Sequence, residues 1–260
     1  MQRHPIAWFL ALTMSLQYGL GILTRFSPIA QEIFEWGFSA LPLVTLLVAG
    51  LTEGKPGVKG LLAPLVRWRV HPYYYLFAIF LLPGFFVLSN YVERLFQGDL
   101  SRPVPFTFWA LIYPDAQLAA LITCASVADE MAWFGYLFVR LQRRYSQVAA
   151  SLITGVCWAL WYIPMLLFST TVADRTVPPV YFVLNFILLA PLCAWLYQSS
   201  KSALLVIAMN VIANYAYFVI PVLPQDAGGP TVFALKVLMM GLGSAFLIWL
   251  GRGKQLGAGG

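Results

Sequence analysis

Apolar residues run through this chain in stretches long enough to cross a bilayer as helices, about 20 residues each, with polar residues gathered between them. The pattern predicts eight spans, at roughly 6–23, 34–51, 73–91, 106/116–140, 148–168, 180–197, 203–223 and 232–249. Helix breakers mark the turns expected between them: Glu53-Gly54-Lys55-Pro56-Gly57, Gly98-Asp99, Pro178-Pro179 and Gly228-Gly229-Pro230. No internal repeat is visible, and the one biased tract is a Gly-rich tail at 257–260. A short basic region with Arg3 precedes the first span. The span is long and no small-x-small site follows it, so a retained first helix is expected in place of a cleaved signal peptide. The fold class these patterns imply is all-α, a polytopic transmembrane helical bundle of about eight helices forming a single membrane-embedded domain over 1–260.

Composition agrees with the pattern. Of the 260 residues, 60% are hydrophobic, 16% aromatic and 10% charged, where soluble domains carry about 25% charged residues. Too little polar surface is left to cover a water-facing globule. A soluble enzyme, a disordered chain, a disulfide scaffold and a conventional nucleic-acid binder are excluded; the partner expected first is the lipid bilayer. The net charge of +6 arises from 16 Lys and Arg against 10 Asp and Glu, an excess that membrane topology accounts for. With the N-terminus inside, the inner segments hold Arg3, Lys55, Lys59, Arg67, Arg69, Arg140, Arg143, Arg144, Lys201, Arg252 and Lys254, while the outer loops hold only Arg25, Arg94, Arg102 and Arg175. That bias predicts both termini inside. Lys236 falls near the start of the last span and belongs to neither set.

The three cysteines, Cys124, Cys157 and Cys193, lie in apolar runs without a CxxC pair and read as small buried hydrophobes. The two histidines, His4 and His71, each precede a proline at a segment edge. Neither is expected to reach a buried site, so a His-ligated zinc is excluded and no cofactor is expected.

Three sets of polar residues break the apolar pattern. Asp129 and Glu130 sit within a predicted span whose inner end is marked by Arg140. At a rise of 1.5 Å per residue, Asp129 is about 16 Å from that end, near mid-membrane, where an acid costs on the order of 2.5–3.5 kcal/mol and is a functional candidate by default. Adjacent helix positions differ by about 100°, so the two carboxyl groups cannot both point straight at one site. Asn210 and Asn214 are four apart and share a helix face. Counted from Lys201 they are about 13 and 20 Å deep, which brackets Asp129. Intramembrane asparagines usually join helices; the matched depth raises these two to candidates. Tyr162 reads either as an interface aromatic or as a buried hydroxyl seeking a partner, with Pro164 loosening its helix and freeing a carbonyl. Asp115 reads as a helix N-cap.

Together these patches resemble the CAAX-protease and bacteriocin-processing (CPBP, or Abi) family of intramembrane proteases. The first motif is Asp129-Glu130-Met131-Ala132-Trp133-Phe134-Gly135-Tyr136-Leu137 followed by Arg140-Leu141-Gln142-Arg143-Arg144, against a family pattern of Glu-Glu-x-x-x-Arg and a Leu-Gln-Arg-Arg-like segment. The second is Trp158-Ala159-Leu160-Trp161-Tyr162-Ile163-Pro164, where the family has Trp-x-x-x-His-x-Pro. The third is Asn210-Val211-Ile212-Ala213-Asn214, where the family has His-x-x-x-Asn. Ser27-Pro28-Ile29-Ala30 and Arg67-Trp68-Arg69-Val70 are also similar, and the resemblance is densest over 106–216.

The resemblance implies peptide-bond hydrolysis by an activated water with a stabilised oxyanion. It assigns water activation to Asp129 with Glu130 as its neighbour, and oxyanion binding to Asn214. Three positions depart from the pattern: Phe134 for the arginine, Tyr162 for the base-side histidine, and Asn210 for the oxyanion histidine. Tyrosine keeps its proton near neutral pH and is a poor general base. Asp reaches about one methylene less than Glu, and about 1 Å of misplacement can cost a hundredfold in rate. Asn210 and Asn214 could still donate to an oxyanion, each donor being worth about 2.7–4 kcal/mol.

One reading is therefore an endopeptidase with a modified site formed by Asp129, Glu130, Tyr162, Asn210 and Asn214, acting on a hydrophobic or prenylated peptide. The other is a catalytically inactive homologue that binds, assembles or chaperones another membrane protein, or confers self-immunity. A transporter using Asp129 and Glu130 as a proton site is a remote third, since no repeat symmetry supports it. A homologue this short is expected in a bacterial cytoplasmic membrane.

Overall fold

Proline opens five of the helices, at Pro5, Pro28, Pro72, Pro179 and Pro224, where its missing N–H has no intrahelical partner to lose. The computed structural model describes residues 4–37, 40–98, 100, 104–107, 116–169 and 176–257. Among them the helices are α1 (Pro5–Leu23), α2 (Pro28–Glu35), α3 (Ala40–Leu62), α4 (Pro72–Gln97), α5 (Ala116–Glu130), α6 (Gln147–Phe168), α7 (Pro179–Ser200), α8 (Ala203–Val219), α9 (Pro224–Ala227) and α10 (Thr231–Gly257). A 3-10 turn, Ala63–Val66, extends α3; a π-helical stretch, Met131–Phe138, and one α turn, Val139–Leu141, extend α5. Serine hydroxyls cap α2, α6 and α8, with Ser27, Ser146 and Ser202 accepting from Ala30, Ala149 and Leu205 backbone N–H groups. His71 caps α4 through Nδ1.

Among the described residues six helical stretches are long and apolar enough to cross a membrane, and α2 with α3 makes a seventh that is bent by 66°. The chain is thus a multi-pass helical membrane protein. One boundary differs from the sequence expectation: the span expected over 34–51 is broken between α2 and α3. The turn expected at Glu53–Gly57 is present as a break in helical geometry within α3. Gly54 alone leaves helical geometry there (φ 66°, ψ −156°), and Pro56 stands within the helix that continues beyond it. A glycine accepts the left-handed angle and a proline suits the first turn of the renewed helix, so the pair kinks the helix without ending it. The expected fourth span starts at Ala116 among the described residues; Asp115, read as its cap, lies outside them.

α6 and α7 approach closely at Gly155, where a Cβ would come within 2.8 Å of the Ile187 Cα and 2.9 Å of the Ala190 Cβ. α8 packs on α4 and α5, and α10 on α4 and α7. α1 joins the bundle through Phe9, which sits 4.7 Å from the Tyr136 ring and 5.9 Å from Trp133. Pro164 frees the Leu160 carbonyl, four residues before it, and that carbonyl accepts a hydrogen bond from the Tyr18 hydroxyl at 2.9 Å. One cysteine departs from expectation: Cys193 is buried and Cys157 half-buried, but Cys124 is exposed. In a membrane bundle the outer face is as apolar as the core, so an apolar run does not distinguish the two.

Candidate active site

Asp129 and Glu130 close α5, immediately before the π-helical stretch, with 2% and 0% of their surface exposed. The wider winding of eight π-helical residues advances less per residue than an α-helix. The 16 Å separation of Asp129 from Arg140 expected of a regular helix is therefore an overestimate. π-Helical segments recur at functional sites because they redirect side chains that an α-helix would aim elsewhere.

The two acids are held by different helices. Asp129 Oδ2 accepts from the Tyr162 hydroxyl of α6 at 2.7 Å, and Oδ1 accepts from the Trp133 indole N–H at 3.1 Å. The Tyr162 hydroxyl thus has a partner within the bundle, and its ring stacks on Phe186 of α7 with centroids 4.6 Å apart. Glu130 Oε1 accepts from Asn210 Nδ2 of α8 at 3.2 Å, while Glu130 Oε2 is buried with no hydrogen-bond partner among the described residues. The roughly 100° between neighbouring positions thus separates the acids as expected, one toward α6 and one toward α8.

Asn214 orients Asn210. Its Nδ2 donates to the Asn210 carbonyl at 3.0 Å and to Asn210 Oδ1 at 2.9 Å, so both of its N–H bonds are engaged. Asn210, whose Oδ1 faces Asn214, turns its own NH2 toward Glu130 and keeps one N–H beyond that bond. In this arrangement the pair offers one amide hydrogen, and a second oxyanion donor requires Asn214 to turn.

Asp129, Tyr162, Asn210 and Asn214 line one cavity of about 90 Å³, shared with Asn185 and Tyr217. Glu130 reaches it only through Asn210. That volume holds a few waters; an extended peptide enters only if the surrounding helices part. Phe134, at the position of the family arginine, is buried and packs edge-on against Trp158 at 5.8 Å. Aromatic packing fills the place where the family pattern carries a cation. Among the described residues no three His, Cys, Asp or Glu side chains cluster as metal ligands.

Sequence reasoning missed two groups. Lys236, 0% exposed, donates to Asn185 Oδ1 at 2.6 Å and to the Tyr217 hydroxyl at 2.7 Å, and both acceptors line the cavity. The signal was available, since Lys236 and Asn185 each interrupt an apolar run. Glu53 was taken for a turn residue. It binds Arg140 in a fork, with Nε to Oε1 at 2.9 Å and Nη2 to Oε2 at 2.7 Å. The Arg140 guanidinium also sits 3.6 Å from the Tyr136 ring centroid. Together these fix the far end of the π-helical stretch, so both ends of the segment behind the acids are anchored.

Residues 106–216 match the sequence model of a family described as type II CAAX prenyl endopeptidase, Rce1-like. A "CAAX prenyl protease 2" from Methanococcus maripaludis is 27% identical over 143 residues, an alignment covering 52% of this chain and 52% of the relative. The chain thus spans about half the length of the curated relative it matches.

Proposed function

We propose that this chain, an integral membrane protein of the CPBP family and similar to CAAX-type proteases, hydrolyses peptide bonds within the bilayer. The observation that carries the reading is the convergence of Asp129, Tyr162, Asn210 and Asn214, from three separate helices, on one cavity. In an apolar bundle each of these groups is unfavourable alone and tolerable only when paired.

In this reading the Asp129 carboxylate takes a proton from a water in the cavity. The water oxygen adds to the scissile carbonyl carbon, and the oxyanion so formed is met by the remaining Asn210 N–H and by Asn214 once it turns. The C–N bond then breaks and the proton passes from Asp129 to the leaving nitrogen, giving a new carboxylic acid and a new amine, which exchange a proton to become carboxylate and ammonium. Tyr162 fixes the Asp129 carboxyl through its hydroxyl and does not act as base. Glu130 holds Asn210 from behind. The step uses no cofactor. The substrate class is a hydrophobic or prenylated peptide, and the host is a bacterial cytoplasmic membrane with both termini inside.

The test is turnover of quenched prenylated and leader-type peptides by the purified protein. Hydrolysis that vanishes in Asp129→Ala and in Glu130→Ala, with unfolding midpoints retained, supports the reading. A silent wild type rejects it.

A second reading is a non-catalytic homologue that retains the cavity for binding or assembling another membrane protein. The observation favouring it is that both Asp129 oxygens accept hydrogen bonds and both Asn214 N–H bonds are engaged. A silent wild type that co-purifies with a defined hydrophobic ligand supports this one.

A further inference from the structure

Asn185 of α7 lines the same cavity and is held by Lys236 of α10, away from every motif described above. The ammonium of Lys236 can only donate, and at 2.6 Å it donates to Asn185 Oδ1. The lysine is itself immobilised: its Nζ lies 3.7 Å from the Phe233 ring centroid and 2.7 Å from the Tyr217 hydroxyl. An asparagine amide can ordinarily present either its oxygen or its nitrogen. Here the fixed cation selects the oxygen for itself and turns the NH2 away. No hydrogen bond from that NH2 is formed among the described residues, and Asn185 lines the cavity.

We infer that Asn185 is a ligand-binding donor of this cavity, held in the donor orientation by Lys236, and that it takes a peptide oxygen, either an internal carbonyl or a terminal carboxylate. The inference rests on the proposed peptide-binding function. The cavity then presents an acceptor from α5, the Asp129 carboxyl, and a donor from α7. A peptide group supplies a partner for each, its N–H for the one and its C=O for the other. An amide donor that faces this small cavity without a protein acceptor favours ligands that bring an oxygen to it. Lys236 acts through Asn185 and is a positioning residue.

The experiment measures binding of a fluorescent farnesylated tetrapeptide to the full chain in detergent micelles by anisotropy, with the same peptide ending in a carboxamide as the second probe. Asn185→Asp keeps the shape and the contact with Lys236 but replaces the donor by an acceptor; affinity is expected to fall about tenfold or more. Asn185→Ala serves if the acid variant does not fold, with a smaller loss. Lys236→Met frees the amide to turn and weakens binding, whereas Lys236→Arg, which keeps a donor toward Oδ1, restores it. If the loss in Asn185→Asp disappears with the carboxamide probe, the oxygen is the terminal carboxylate; if it persists, the oxygen is an internal carbonyl. Unchanged affinity in both Asn185 variants overturns the inference and leaves the peptide reading standing. A Lys236→Met variant that loses thermal stability but not affinity removes the positioning role. Wild-type protein that binds neither probe overturns the inference and the peptide reading together.

Discussion

The Tyr162 hydroxyl donates to Asp129 Oδ2 across 2.7 Å, joining residues 33 apart in sequence and carried by different helices. This bond ties α6 to the end of α5 and determines which way the first acid faces. Tyr162→Phe keeps the ring and its stacking on Phe186 but removes the donor. The variant is expected to lose about 1–3 kcal/mol, the range for a buried acceptor deprived of its partner. Its unfolding midpoint in detergent, followed by tryptophan fluorescence, checks this; a midpoint equal to wild type shows that the bond contributes nothing.

The two readings of function separate on a restoration experiment. Tyr162→His with Asn210→His returns the histidines that the family pattern carries at those positions. If the chain is a weak peptidase limited by its base, the double variant is expected to hydrolyse quenched prenylated peptide about a hundredfold faster, as a placed general base provides. No gain in the initial rate, in a variant that folds, favours the binding role.

Gly155 permits the close approach of α6 and α7 that brings Tyr162 against Phe186. Gly155→Ala puts a methyl 2.8 Å from the Ile187 Cα, and the backbone there cannot move aside as a flexible side chain would. The expected destabilisation is about 1–3 kcal/mol from overpacking, with weakened peptide binding because the Asp129 contact shifts with the helix. Parallel melting and anisotropy measurements test both effects.

Glu53 engages both Arg140, which is 5% exposed, and Arg143, which is 62% exposed. Glu53→Gln leaves the buried guanidinium without its charge partner and is expected to destabilise by about 3–5 kcal/mol. Arg143→Gln removes only the exposed arm and is expected to shift stability by less than about 1 kcal/mol. Equal midpoints for the two variants would contradict the asymmetry drawn from the structure.

Much of the outline was legible in the sequence, because hydrocarbon solvent imposes long apolar runs and makes any acid within one conspicuous. Span positions, the candidacy of Asp129 and Glu130, and the family resemblance all follow from that contrast. The break at Glu53–Gly57 was legible too, since Gly and Pro advertise it, and Gly54 does leave helical geometry there. The errors have a common origin. Cys124 looked buried because the lipid-facing and core-facing sides of a membrane helix share one composition. The pairing of Asn185 with Lys236 passed unnoticed because a single polar residue in an apolar run shows that it needs a partner without showing where the partner is.

The sequence by itself determined that this chain is a multi-pass helical protein with two acids set within an apolar run, since composition and periodicity report directly on the solvent each segment must meet. Tertiary structure decided that Asp129 turns to Tyr162 and Glu130 to Asn210, that Asn214 donates to Asn210, and that Lys236 orients Asn185. Those pairings depend on the crossing of helices distant in sequence and on the π-helical winding after Glu130, and neither is encoded in the spacing along any one segment.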